Sequence, residues 1–284
     1  MTVNKKRWLK KEHKALYFGL VMMSIFILWS LFPAVFTLHD PKEMFRPWQK
    51  ISSLHWLGTN DMGYDIYSEL VYAASTTLIT GISAAFISLV FGTSIGTLAG
   101  YSKGWKSELF NGVINIFLLI PMLPMIIVVA AYLGPGTKNI ILTIALLGWC
   151  STARAVRAKT KQLKQSPFVE SLIILGIPKR QIIKKHIIPN LSDIVLARYI
   201  MSVASYMLME ASVSFVGLGD PTKVTWGGMI SFAFKRGGFI RGAANWYLTP
   251  GICIMLCVLA FYFINAHFEQ RAKEVDGEGQ SYMD

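Results

Sequence analysis

Six stretches of the chain are apolar for long enough to cross a bilayer; of the segments between them, 37–74 and 217–245 are long and contain Pro, Gly and Trp. A spanning helix needs about 20 mostly apolar residues, because the hydrocarbon core is about 30 Å thick and a helix rises about 1.5 Å per residue. The stretches fall at 15–36, 75–100, 109–133, 139–156, 193–216 and 246–267. The fourth is the weakest, since Arg154 and Arg157 close it. The first could be mistaken for a secretory leader. Leu31, Phe32 and Pro33 follow it where a leader would carry small residues for cleavage, so it reads as a retained anchor. The pattern predicts an all-α, polytopic membrane protein with six transmembrane helices. It divides into an N-terminal tail (1–14), a first span with its long outer loop (15–74), a five-helix core (75–267) and a C-terminal tail (268–284), polar, Gly-rich and frayed after Glu274.

Composition agrees with the bilayer as solvent. Of 284 residues 53% are hydrophobic and only 15% charged, against about 25% charged in soluble domains, and the mean hydropathy is +0.45. The net charge of +12 invites a nucleic-acid reading. Its distribution explains it otherwise. The N-terminal tail has six Lys/Arg, the loop after the second span two, the segment from Arg154 to Lys185 nine and the C-terminal tail two. The opposite loops share eight. Lys/Arg gather on the cytoplasmic side of membrane proteins, so both termini are expected in the cytoplasm, and no nucleic-acid partner is needed. Cys150, Cys253 and Cys257 lie in apolar runs without metal-ligand spacing and read as small buried hydrophobes.

The inner segment 157–192 is unusually long. Ser166 followed by Pro167 is a helix start, a capping hydroxyl and then a residue suited to the first helical position. Glu170 favours the dipole of that first turn. Gly176 stops the helix, Pro178 begins a second one, and Pro189 ends it. The second helix carries Lys179, Arg180, Lys184 and Lys185 beside several isoleucines. Apolar residues on a water-facing segment usually mark a protein contact.

This segment resembles the EAA loop of ABC importer permeases, whose pattern is Glu-Ala-Ala, three residues, Gly, nine residues, Ile-x-Leu-Pro. Glu170, Gly176 and Pro189 hold the anchor positions at that spacing. Ser171 and Leu172 replace the two alanines, His186 the Ile, and Ile188 the Leu. The ending His186-Ile-Ile-Pro-Asn190 is similar to the peptide/nickel branch, and so is His55-Trp-Leu-Gly-Thr-Asn-Asp61 through Ser68 before the second span. Trp149 with Ala153-Arg154 and Val156-Arg157, Glu210 to Gly219, and Trp226-Gly227 extend the likeness and favour the C-type subunit. The resemblance implies a type I importer permease fold in the bacterial cytoplasmic membrane. It implies a homologous B-type permease, two cytoplasmic ATPases that use ATP and Mg, and an extracellular solute-binding protein as partners. The loop would be the coupling helix that docks on an ATPase, with Glu170, Ser171, Gly176, Ile177, Pro178, Lys179, Arg180, His186 and Pro189 as its contact residues. The implied cargo is di- or oligopeptides, with nickel, another metal chelate or a glutathione-like peptide as alternatives.

Other residues leave two readings each. Glu210 is the one acid clearly inside a span, about 25 Å from its inner end. It either hydrogen-bonds to neighbouring structure or gates solute passage. Asn111 and Asn115, four apart, either bond a neighbouring helix or touch substrate. Gly92, Gly96 and Gly100 form overlapping G-x-x-x-G patterns that suit close helix packing. Arg198 snorkels. No G-x-x-x-x-G-K-[ST] cradle, zincin pair or nucleophile elbow occurs. The chain is thus expected to bind no cofactor or metal and to be no enzyme, its energy coming from a partner. A stand-alone channel or membrane enzyme would need more pore-lining charge or catalytic residues than are present.

Overall fold

The computed structural model describes residues 2–281, and side chains over 14–268. The described chain is helical, with a single isolated bridge between Thr59 and Asp65. In order come α1 (Thr2–Leu31), α2 (Pro33–Phe36), α3 (Ile66–Tyr101), α4 (Trp105–Leu119), α5 (Met122–Leu133), α6 (Thr137–Lys164), α7 (Pro167–Ile174), α8 (Lys179–Ile182), α9 (Ser192–Val216), α10 (Trp226–Lys235) and α11 (Ala244–Ser281). Among the described residues, five helices have the length and hydropathy of spans: α1, α3, α6, α9 and α11. The α4–α5 pair makes a sixth only as a broken span, bent by 84°.

Several boundaries differ from the hydropathy reading. The third span, expected unbroken over 109–133, breaks at Ile120–Pro121. Pro121 has no N–H to donate and its ring displaces the preceding turn, while Pro124 removes a further donor. The second span begins at Ile66 rather than 75, because Asp65 caps it. Asp65 Oδ2 accepts from the Ser68 N–H (2.8 Å) and Oγ (2.9 Å), and Oδ1 meets His55 Nδ1 at 2.9 Å. The fourth span does not stop at 156. It continues as α6 through its basic half to Lys164, carrying two turns beyond the apolar stretch. α11 likewise runs on to Ser281, past Glu274 where a frayed tail was expected. The loop 217–245 contains α10, capped by Thr225, whose hydroxyl accepts from the Gly228 N–H (3.0 Å).

The glycine stripe of α3 is one place where the bundle closes tightly. A Cβ on Gly96 would lie 2.6 Å from the Ala153 carbonyl oxygen, and one on Gly92 or Gly100 would meet Thr152 or Thr160 at 2.7 Å. The backbones of α3 and α6 therefore approach closely only because these positions carry no side chain. The main core lies among α1, α3, α5, α6, α9, α10 and α11, around Trp226, Trp246, Met207 and Cys257. Trp226 ties α10 to α3, its Nε1 donating to the Leu70 carbonyl (3.0 Å). Cys150, Cys253 and Cys257 are buried thiols without disulfides, in line with the reading as small hydrophobes. Arg198 is exposed near the start of α9.

Candidate coupling site

The segment between α6 and α9 builds a small structure of its own. The Ser166 hydroxyl donates to the Leu163 carbonyl (2.7 Å) and accepts from the Val169 N–H (3.4 Å), so it closes α6 and opens α7 at once. Pro167 takes the first helical position. Two residues past Ile174 the chain reverses at Gly176, with φ +73°. The Gly176 N–H donates to the Ile173 carbonyl (3.0 Å) and the Ile177 N–H to the Leu172 carbonyl (3.1 Å). This pair of bonds is the Schellman arrangement, and the Leu172–Ile177 contact beneath it completes it.

Beyond Pro178 the expected second helix takes another form. One α turn (α8) passes into a π turn over Ile183–Ile187 and then a 3-10 turn over Pro189–Leu191 that feeds α9. Pro189 therefore does not end the segment. The Ile188 N–H reaches back to the Ile183 carbonyl (2.9 Å), and the widened turn accommodates a proline that would clash inside a regular helix.

A buried cluster of Val169, Ile182, Ile187 and Leu191 packs on Val156 of α6, with Leu163, Leu172, Ile177 and Ile194 around it. Many of the segment's isoleucines are thus internal cement. His186 is half-buried, its ring against Phe168 at 5.4 Å, and its carbonyl accepts from Asn190 Nδ2 (2.6 Å). Ser171 bonds back to the Pro167 carbonyl (2.8 Å). Glu170, Ser171, Gly176, Pro178, Lys179, Arg180 and Pro189 are exposed and Ile177 is half-buried. The apolar surface left outside is Phe168, Ile173, Ile174, Leu175 and Ile188, with Ile174 85% and Leu175 75% exposed. Ile174 and Leu175 directly precede the Gly176 turn, and the exposed cations Lys179 and Arg180 follow it. Motif spacing had not singled out Ile174 and Leu175. Their signal was the surplus of apolar positions left after the packed face was filled.

The other candidates lie elsewhere. Glu210 is buried on α9, where its Oε1 accepts from Ser214 Oγ (2.6 Å) and its Oε2 has no partner among the described residues. α10 covers the neighbouring turn so closely that a Cβ on Gly227 would sit 2.5 Å from Ala211. Asn115 on α4 accepts from Arg154 Nη2 on α6 (2.9 Å), and Asn111 is half-buried one turn earlier. At the end of the bundle opposite the loop, Asp220 joins α6 to the turn after α9. It accepts from the Thr137 N–H (3.0 Å) and Oγ1 (2.9 Å) and from the Thr222 N–H (3.0 Å) and Oγ1 (2.6 Å). Burial pushes this carboxyl up, and the bonds from Thr222 and Thr137 outweigh that, holding it well below the usual carboxylate range.

A bundle of helices apolar and long enough to span a bilayer, with a self-packed loop between two of them, defines a multi-pass membrane protein. Residues 92–274 match the family model described as binding-protein-dependent transport system inner membrane component, and the chain belongs to that family. It is 32% identical to the dipeptide transport system permease protein DppC of Alkalihalophilus pseudofirmus over 89% of this chain and 84% of that one. It is 30% identical to the oligopeptide transport system permease protein OppC of Bacillus subtilis over 78% and 73%. It is 29% identical to the glutathione transport system permease protein GsiD of Pectobacterium atrosepticum over 88% and 83%. Among solved structures, a chain of the MetNI methionine ABC transporter in an inward-facing form superposes with a TM-score of 0.53 at 16% identity, covering 72% of this chain and 97% of that one. That likeness gives the fold, a type I importer permease. Family membership makes the chain a transport subunit of a bacterial membrane rather than an enzyme in its own right, and implies a complex with other ABC transporter subunits.

Proposed function

We propose that the chain forms one half of the pathway of an ATP-driven importer of di- or oligopeptides, and that the segment from Ser166 to Asn190 is its coupling element. The observation that carries this is the crest of Ile174 and Leu175 at the Gly176 turn. It is apolar and exposed, between Leu172 and Ile177, which pack on the buried cluster, and this suits insertion into a groove of an ATPase. Two such ATPases would use ATP and Mg. A homologous B-type permease would complete the pathway, and an extracellular binding protein would deliver the solute. Closure of the ATPases would push on the coupling elements and rock the helices between inward- and outward-open states. Both termini would lie in the cytoplasm, as the Lys/Arg distribution supports. The peptide reading rests on the dipeptide, oligopeptide and glutathione relatives.

The test is uptake in vesicles carrying the assembled complex. Labelled dipeptides and oligopeptides should accumulate when ATP is supplied on the ATPase side, and nickel should not. Copurification should bring an ATPase with the chain. Uptake of nickel without peptide would reject the cargo, and a chain that purifies without an ATPase and conducts alone would reject the subunit assignment.

A further inference from the structure

Beside the coupling segment lies a second feature that its packing does not account for. The ends of α3 and α6, the start of α4 and one side of α7, through Glu170 and Ile173, surround a cleft of about 500 Å³. Lys103, Arg157, Lys161 and Lys164 line it, facing only Glu108 and Glu170 as carboxylates. Lys164 is fixed there, its Nζ donating to the carbonyls of Tyr101 (2.7 Å) and Ser102 (3.4 Å). The Nε of Arg157 is buried without a hydrogen-bond partner among the described residues. α4 starts at this cleft from Gly104, with no side chain capping its first turn.

The location points to the class of ligand. α4 begins with Trp105, 68% exposed, and continues outward with Leu109, Val113 and Ile116 on the same face, all exposed. An exposed apolar stripe that begins with Trp and has Lys106 beside it is the signature of a helix entering lipid, with the ring at headgroup level. The basic cleft therefore opens at the depth of the lipid phosphates. We propose that it binds the phosphate of an anionic lipid headgroup, gripping the permease between its coupling segment and its membrane-embedded bundle. Basic pockets between spanning helices bind such headgroups, where each Lys or Arg contributes a share of the attraction.

Native mass spectrometry of the full chain, with phosphatidylglycerol and phosphatidylcholine added in equal amounts, tests this. The wild type should retain phosphatidylglycerol about tenfold in preference. Lys103→Gln/Arg157→Gln/Lys161→Gln should lose the preference. The charge-conserving Lys103→Arg/Arg157→Lys/Lys161→Arg should keep it, which separates loss of charge from loss of fold. Lys184→Gln/Lys185→Gln, away from the cleft, should keep it too. Millimolar inorganic phosphate should leave the lipid in place; displacement would make free phosphate the ligand and overturn the lipid assignment. Equal retention of the two lipids, or a preference that survives the triple Gln variant, would overturn it as well. If that variant instead lost ATPase copurification with its lipid preference intact, the cleft would belong to the protein contact and the proposal would fail.

Discussion

The backbone N–H of Ile177 donates to the carbonyl of Leu172 across the turn at Gly176, at 3.1 Å. This bond brings the two side chains into one cluster and sets the angle at which Ile174 and Leu175 leave the surface. It requires a positive φ at Gly176, and space is not what excludes a side chain there, since a Cβ would meet nothing within 4 Å. The constraint is conformational, and a β-branched residue costs about 1 kcal/mol or more at such a position.

Gly176→Val should therefore leave the chain inserted in the membrane yet uncoupled from transport. ATPase copurification should weaken, or ATP hydrolysis should proceed without uptake. Gly176→Asn should be milder, because Asn visits the left-handed region more readily. Glu170→Ala should weaken the contact less than Gly176→Val does. Wild-type association together with wild-type uptake for Gly176→Val would sink the assignment of this loop.

Gly96 and Gly112 make a contrasting pair. A Cβ on Gly96 would press on the Ala153 backbone oxygen at 2.6 Å, whereas one on Gly112 of α4 meets nothing within 4 Å. Gly96→Ala should destabilise the bundle by about 1–3 kcal/mol through overpacking. Gly112→Ala should be neutral or stabilising by up to about 1 kcal/mol, since Ala suits a helix interior better. Thermal unfolding of the two variants in detergent is the comparison. Equal midpoints would show that α3 and α6 do not depend on the glycine contact.

Glu210→Gln keeps an oxygen in position to accept from Ser214. Assembly should be preserved, and uptake should change only modestly, because the buried, hydrogen-bonded setting fits a structural role. Abolished uptake with normal assembly and normal ATPase activity would assign the carboxylate to gating instead.

Asp220 provides a pH signature. Its folded-state pKa is depressed, so the stability it contributes is present above its unfolded pKa and lost as pH falls through the folded value, below the ordinary carboxylate range. The Asp220 bond to Thr137 should hold throughout the neutral and mildly acidic range. Asp220→Ala should cost about 1–2 kcal/mol, since α6 starts at Gly136 with no cap of its own. The penalty should shrink in strong acid. Unfolding midpoints of wild type and variant measured down the pH scale read this directly; a constant difference at every pH would reject it.

Periodicity and charge in the sequence were enough for the helical membrane class, the apolar stretches, and the helix start and glycine turn of the segment between α6 and α9. Each rests on local chemistry: a run of apolar residues long enough for a bilayer, Ser166-Pro167 to open a helix, Gly176 to close it. The anchors Glu170, Gly176 and Pro189 are legible for the same reason, being spaced along one continuous segment. What the sequence could not assign was which apolar residues serve the interior. Ile182, Ile187 and Leu191 pack inward while Ile174 and Leu175 stand out. Composition does not distinguish them, and only the turn geometry and the facing surface of α6 do. The break at Pro121 likewise follows from backbone donors removed within an unbroken hydropathy profile, which an average over the window conceals. The pairing of Asn115 with Arg154, of Asp220 with Thr137, and of Lys103 with Arg157 and Lys161 around one cleft joins positions far apart in the chain. Such contacts form when helices settle into a particular arrangement, and that arrangement is set by close packing such as the Gly96–Ala153 approach, a property of two surfaces together rather than of either segment alone.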